Sequence, residues 1–343
     1  MQSSKGITIY DIAKEAGLSV ASVSRVLTNS PGVRSERREC VQALINKYNF
    51  KPNVMAKSLS QTRRYMVGMI CADVRNPYYA SLFMECERAA YDRGYTLMLN
   101  NTLSSEEMEI TFLEKMCEQR VDALILSGGV IDWIIPPPLF EKTLAHVAAL
   151  LPVVVAGRVN NGDCYQVAID HAEGMHLAVT HLASLGHTRI AYLSCAPHIY
   201  LSKEKREAFC RSMESHGLSV RPEYVVEGKD FTEHTGFLSM NKLMSLSEKP
   251  TAIIALNDLM AAGALQAITR LGFSVPEDFS LLSFDNSFIT DLLTPSISGI
   301  EYHYDAYGQT LINVALDAIE GNRPPALTIM TPTLVIKGSC RKA

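Results

Sequence analysis

The chain has 343 residues, 47% hydrophobic, 20% charged and 8% aromatic, a composition that excludes fibrous and disordered classes and fits two or three globular domains. The longest nearly apolar run, 147–157, is broken by Pro152 and is far shorter than the ~20 residues of a membrane helix. The polar opening Met1-Gln2-Ser3-Ser4-Lys5 lacks an apolar signal core, so a cytoplasmic protein without a membrane partner is expected.

Eight cysteines are scattered over the whole length, with no Cys-x-x-Cys pair and no Cys/His cluster at zinc spacing. That pattern predicts reduced thiols acting as small buried hydrophobes, and no metal site.

The net charge of -4 conceals a polarity. Residues 1–64 hold 11 Lys/Arg against 4 Asp/Glu, a balance of +7, which leaves -11 for 65–343. A small basic head on an acidic body is the footprint of a nucleic-acid binder whose larger part does something else. An incidentally basic, solvated segment is the alternative that charge alone leaves open.

In the head, Thr8 is an N-cap candidate with Asp11 three residues on, followed by Ile12, Ala13 and Ala16 at helical spacing and Gly17 as a stop. After a turn at Gly17-Leu18, Ser19 caps a second helix over 20–27, with Val23, Val26 and Leu27 on one face and Ser22 and Arg25 on the other. A third helix is expected from Ser35 to about Tyr48, where Val41, Leu44 and Ile45 complete a small core. Three short helices with a tight second turn make a helix-turn-helix unit, whose second helix enters the major groove of double-stranded DNA.

Pro52 blocks continuation of the third helix, Asn53 can cap a new one, and 54–59 makes barely two turns before the polar linker 60–64. From Met66 onward short apolar strands alternate with amphipathic helices. Strands are expected at 67–71, 96–99, 123–126 and 153–155, then at 190–193, 252–255 and 280–284, with helices near 79–93, 172–185, 203–216, 234–246 and 258–271. This alternation implies parallel sheets covered by helices, arranged as two α/β lobes, with ligands bound beyond the carboxyl ends of the strands. The Pro136-Pro137-Pro138 run is expected to form a rigid loop bordering the first lobe.

No Gly-x-Gly-x-x-Gly follows a strand, and neither a Gly-x-Ser-x-Gly elbow nor a P-loop motif is present, so no enzyme is expected. His171, His176 and His181 recur every five residues, which scatters them around a helix, and they read as surface or satisfied core histidines.

The wording of the head is specific. Ile9-Tyr10-Asp11-Ile12-Ala13-Lys14-Glu15-Ala16-Gly17-Leu18-Ser19, Val23-Ser24-Arg25-Val26-Leu27 and Tyr48-Asn49-Phe50-Lys51-Pro52-Asn53 closely resemble the N-terminal domain of LacI/GalR-family repressors. In the body, Asn76-Pro77-Tyr78-Tyr79, Leu185-Gly186-His187, Asn257-Asp258 and Phe284-Asp285-Asn286 resemble that family's effector domain, which is similar to periplasmic sugar-binding proteins.

The resemblance implies an all-α helix-turn-helix head over 1–51, a hinge helix and linker over 52–64, and a two-lobed body over 65–343. It puts the first lobe at about 65–160 and 296–322, the second at about 161–295 and 323–343, and the crossings near 159–169, 286–295 and 322–327. Val20 and Ala21 fall where the family chooses its operator, and Arg25 where an arginine reaches a base edge, with two donors for guanine O6 and N7. Thr8, Ser19, Ser22 and Ser24 are expected to contact phosphates. Asn53, Ala56 and Lys57 of the hinge join the same DNA surface, and Leu59 is implied to wedge into the minor groove, one per subunit of a homodimer on a near-palindromic site.

Around the cleft the resemblance places Tyr78, Tyr79, Arg158, Lys205, Phe231, Asn257 and Asp285, a set suited to a small polyhydroxylated effector such as a sugar, with no other cofactor. Lys205 stands where many members carry arginine, and Gly157 where an acid is common. The expected function is a DNA-binding transcriptional repressor controlled by that effector. The alternatives are a cytoplasmic sugar-binding or sugar-modifying protein, or a regulator controlled by a phosphorylated protein partner.

Overall fold

The computed structural model describes residues 7–27, 33–48, 50, 63–159 and 164–343. The chain divides into two compact units, Met1–Arg64 and Tyr65–Ala343, each described by itself.

In the first unit, helix α1 (Ile9–Glu15) begins at a capping box: Thr8 Oγ1 accepts the Asp11 N–H while the Asp11 carboxylate accepts the Thr8 N–H at 2.8 Å. Helix α2 (Val20–Leu27) is capped by Ser19, whose Oγ accepts the Ser22 N–H at 3.2 Å. Helix α3 (Ser35–Lys47) closes the unit over a core of Ile12, Ala13, Val23, Val26 and Val41. Glu15 ties the ends of α1 and α3 together, accepting hydrogen bonds from Lys47 Nζ and Tyr48 Oη at 2.7 Å each. Asn53, Ala56, Lys57 and Leu59, and with them the expected hinge helix, lie outside the described residues.

The second unit holds two six-stranded sheets. The first contains β1 (Met66–Cys71), β2 (Thr96–Asn101), β3 (Ala123–Ser127), β4 (Val153–Ala156), β5 (Tyr165–Ile169) and β11 (Leu327–Met330), in the order β11-β5-β4-β3-β1-β2 and parallel throughout. The second contains β6 (Ile190–Ser194), β7 (Val225–Glu227), β8 (Ala252–Ala255), β9 (Ser280–Asp285), β10 (Ser298–Glu301) and β12 (Thr333–Val335), in the order β12-β10-β9-β8-β6-β7, with only β12 antiparallel. The central strands β3, β6, β8 and β9 are buried along their whole length, as parallel strands covered on both faces must be.

The helices are α4 (Pro77–Asp92), α5 (Glu106–Glu118), α6 (Pro138–Leu150), α7 (His171–Ser184), α8 (Tyr200–Ser215), α9 (Glu233–Met244), α10 (Asp258–Arg270), α11 (Ile289–Leu292) and α12 (Tyr304–Glu320). Pro138 belongs to no loop: it is the first residue of α6, where a missing N–H costs nothing.

The strand pairing corrects the expected lobe boundaries. β10 pairs with β9 from Ser298↔Leu282 to Glu301↔Asp285, so the chain stays in the second lobe beyond residue 295 and crosses only at Tyr302-His303. β5 and β11 pair with each other in the first sheet, so the other crossings fall at Asp170 and between Met330 and Thr333. The first lobe is therefore 65–169 with 304–330, and the second 171–301 with 333–343. None of the eight cysteines is in a disulfide. Among the described residues no helix is long and apolar enough to cross a membrane.

Candidate functional site

On the head, Ala21 and Arg25 lie one turn apart on the exposed face of α2, while Val20, Ser22 and Ser24 are half-buried and Thr8 and Ser19 are exposed at the helix starts. Burial of Val23 and Val26 on the opposite side fixes this orientation, so a guanidinium and a small apolar surface point outward.

In the body a cleft opens between the lobes at the carboxyl ends of the strands, where ligands of open α/β sheets bind. All seven residues expected there line it: Tyr78, Tyr79, Arg158, Lys205, Phe231, Asn257 and Asp285. Its free space, open mouth included, is about 720 Å³.

Tyr78 and Tyr79 stand in the first turn of α4, whose N-cap Asn76 accepts the Tyr78 N–H at 3.1 Å. Their rings meet edge-on, with centroids 5.0 Å apart. Tyr79 lies so close to Gly128 (φ 72°) that a Cβ there would stand 2.0 Å from the Tyr79 hydroxyl, so only glycine lets that ring reach the cleft wall.

Lys205 of α8 is 1% exposed. Its ammonium donates to the Leu256 carbonyl and to Tyr302 Oη, each at 3.0 Å, and lies 4.1 Å from the centroid of the Phe284 ring. Burial pulls it down to about 8, against the pull of Asp285, Glu204 and Asp258. Asp285 ends β9 in a left-handed conformation (φ 88°) that non-glycine residues rarely adopt, a geometry that clusters at functional sites. Burial raises its carboxyl above the ordinary aspartate value, opposed by Lys205 and a hydrogen bond to Tyr302. Beneath it Asp258 is raised by burial and then by Asp285, while accepting hydrogen bonds from Ser283 Oγ and from Ser287 N–H and Oγ at 2.5 to 2.6 Å.

Asn257 lines the cleft with a largely committed amide. Its Oδ1 caps α10 through the Met260 N–H at 2.8 Å, and its Nδ2 donates to the Phe231 carbonyl at 3.0 Å, so it positions Phe231. Arg158 pairs across the cleft with Glu204 at 3.6 Å, linking the first lobe to α8, and its Nε is buried without a partner.

Several wall residues were not expected: Asn76, Asp132, His171, Tyr200, Glu204, Tyr302 and Tyr307. His171 corrects the reading of a surface or satisfied histidine. It opens α7 at the first crossing, touches Tyr302 of the second crossing edge-on at 5.6 Å, and its buried Nδ1 has no partner. Burial, then the Lys205 and Arg158 cations, holds it well below the ordinary histidine value, so the ring is neutral. The only sequence signal for it was its place directly after a strand. Among the described residues no cluster of His, Cys, Asp and Glu could hold a metal ion.

The family model described as bacterial regulatory proteins, lacI family, matches residues 8–53, and one described as a periplasmic binding protein-like domain matches 179–340. The HTH-type transcriptional repressor PurR of Mannheimia succiniciproducens is 30% identical over 339 residues, covering 98% of this chain and 99% of that protein. The chain belongs to the lacI family of bacterial regulatory proteins. It is a DNA-binding transcriptional regulator with a ligand-binding regulatory body. The lac repressor dimer bound to operator and the anti-inducer ONPF shares its fold, with a TM-score of 0.85 at 24% identity, covering 98% of this chain and all of that one (100%). A CelR–cellobiose complex is similar with a TM-score of 0.72 at 24% identity, covering 97% and 99%.

Proposed function

We propose that this lacI-family regulator is a homodimeric repressor of a near-palindromic operator, and that a compact polyhydroxylated effector in the interlobe cleft controls its grip on DNA. The observation that carries the reading is the buried Lys205–Asp285–Tyr302 set at the base of a cleft walled by Tyr78, Tyr79 and Phe231. Aromatic faces pack on a ring, while a fixed cation and carboxylate hydrogen-bond its hydroxyls. The similar fold of a CelR–cellobiose complex supports a carbohydrate-like effector.

Control works by linkage. Arg158–Glu204 and the His171–Tyr302 contact span or adjoin the crossings, so an occupant of the cleft favours one lobe arrangement over another. Only its differential affinity for the two arrangements changes operator affinity, and DNA changes effector affinity by the same factor.

The test on the DNA side is Arg25→Ala. Loss of a bidentate guanine contact costs ~1 to 3 kcal/mol and relaxes discrimination at one base pair in each half-site. A variant weakened equally on every sequence would remove Arg25 from base reading. On the body side, a thermal-shift screen of sugars, polyols and nucleosides is expected to yield a saturable hit that Asp285→Ala abolishes, since a ligand at 100 times its Kd adds ~2.7 kcal/mol to the native state.

A further inference from the structure

We propose that Asp132 is a specificity-determining acid of the cleft, held over it by a strap that ties the first lobe to the second, and that it selects occupants presenting hydroxyl or amino donors over phosphorylated ones. The inference rests on the cleft being a ligand site.

Among the acids lining the cleft, Asp285 shares Lys205 and Tyr302, and Glu204 shares Arg158. The Asp132 carboxyl makes no hydrogen bond and no ion pair among the described residues, its backbone N–H alone donating, to the Gly129 carbonyl at 3.2 Å, and burial raises that carboxyl to about 7. It faces the side-chain-free face of Gly157, where a Cβ would come to within 3.8 Å of Asp132 Oδ1 and meet nothing else within 4 Å.

A half-buried carboxyl without a partner is costly unless something else supplies a donor. With no cation beside it, Asp132 repels a phosphate and accepts hydrogen bonds from hydroxyl or amino groups.

Two features hold Asp132 in place. Behind it, Glu109 is 1% exposed and pushed up to about 8 by burial, and it accepts the Val130 N–H at 2.8 Å, pinning the single turn Val130–Asp132. Ahead of it, Trp133 forms an antiparallel bridge with Ile199, the Ile134 N–H donates to the His198 carbonyl at 2.9 Å, and the Trp133 and His198 rings meet edge-on at 5.4 Å. Residues 198–199 belong to the second lobe and lead directly into Tyr200 and Leu201 of the cleft wall. The strap thus joins the lobes immediately beside the acid.

Trp133 is the chain's only tryptophan, so its emission reports events at the strap without interference. The full-length protein is titrated with D-glucose, D-ribose, cellobiose, D-glucosamine and glucose 6-phosphate. At least one unphosphorylated probe is expected to change the emission saturably. Glucose 6-phosphate is expected to bind at least about tenfold more weakly than that probe, and Asp132→Asn to weaken the probe about tenfold, the scale of one charged hydrogen bond. A probe lost in Asp285→Ala and untouched by Asp132→Asn overturns the role of Asp132 and leaves the cleft intact. Tighter or equal binding of glucose 6-phosphate overturns it as well, and that comparison on the wild-type chain decides the matter should Asp132→Asn fail to fold. Silence from every probe removes both the acid's role and the sugar-like effector.

Discussion

A carboxylate, a cation and a second carboxylate at Asp285, Lys205 and Asp258 sit together out of water, and each shifts toward its neutral form because burial penalises charge more than the neighbours reward it. Asp285 is raised in the folded state above its ordinary value near 3.8, so the native chain holds that proton more tightly than the unfolded one. Its contribution to stability therefore falls as pH rises through and above 3.8, and levels off beyond the folded value. Asp285→Asn is expected to match the wild type near pH 4 and to be more stable by roughly 1 kcal/mol or more at pH 8. Urea unfolding at both pH values measures this, and parallel stability profiles would refute it. Binding residues that cost stability in the empty protein are what a ligand site requires. Of the seven cleft residues, Asn257 and Asp285 also carry a local signal, as a helix cap and a strand end, whereas Lys205 and Phe231 were legible only through the family resemblance, since one lies inside a helix and the other in a loop. His171 and Tyr302 were not legible, because their place in the cleft depends on where the chain crosses between lobes, and neither was Asp132, whose turn is set by the distant Glu109 and by the Trp133–Ile199 bridge.

At the scale of elements, helix ends aim the site. Asn257 caps α10 and anchors Phe231, and that geometry holds only because α9 and α10 approach backbone to backbone at Gly263. A Cβ there would stand 1.8 Å from the Glu233 carbonyl oxygen, and a main-chain atom cannot swing aside. Gly263→Ala is expected to cost roughly 1 to 3 kcal/mol by forcing the helices apart, read as a lowered urea midpoint with an unchanged slope. An unchanged midpoint would show that α9 and α10 yield freely. The central strands and the head helices were readable from unbroken apolar runs and 3.6-residue periodicity. β5, β7, β10, β11 and β12 were not: they are three to five residues long, and β11 alternates exposed and half-buried positions along a sheet edge. Missing β10, β11 and β12 shifted the lobe boundaries. Helices α5, α6, α11 and α12 are likewise absent from the sequence reading, α6 because three prolines mask a start that proline itself favours.

For the whole molecule, the charge division between a +7 head and a -11 body predicts DNA binding that weakens steeply with salt while binding of an uncharged effector does not. Parallel salt series on the two equilibria test this, and a salt-insensitive DNA affinity would contradict the electrostatic role of the head. Under the proposed function the two equilibria are coupled. The direct measurement is a fluorescence-anisotropy titration of the full chain onto a near-palindromic site selected from random DNA, with and without a saturating cleft ligand, for the wild type and Asp285→Ala. Wild-type operator affinity is expected to change about fivefold or more, the usual scale of allosteric coupling, and that of the variant not at all, although it still binds the site. A wild-type affinity unmoved by a ligand that fills the cleft would contradict the coupling.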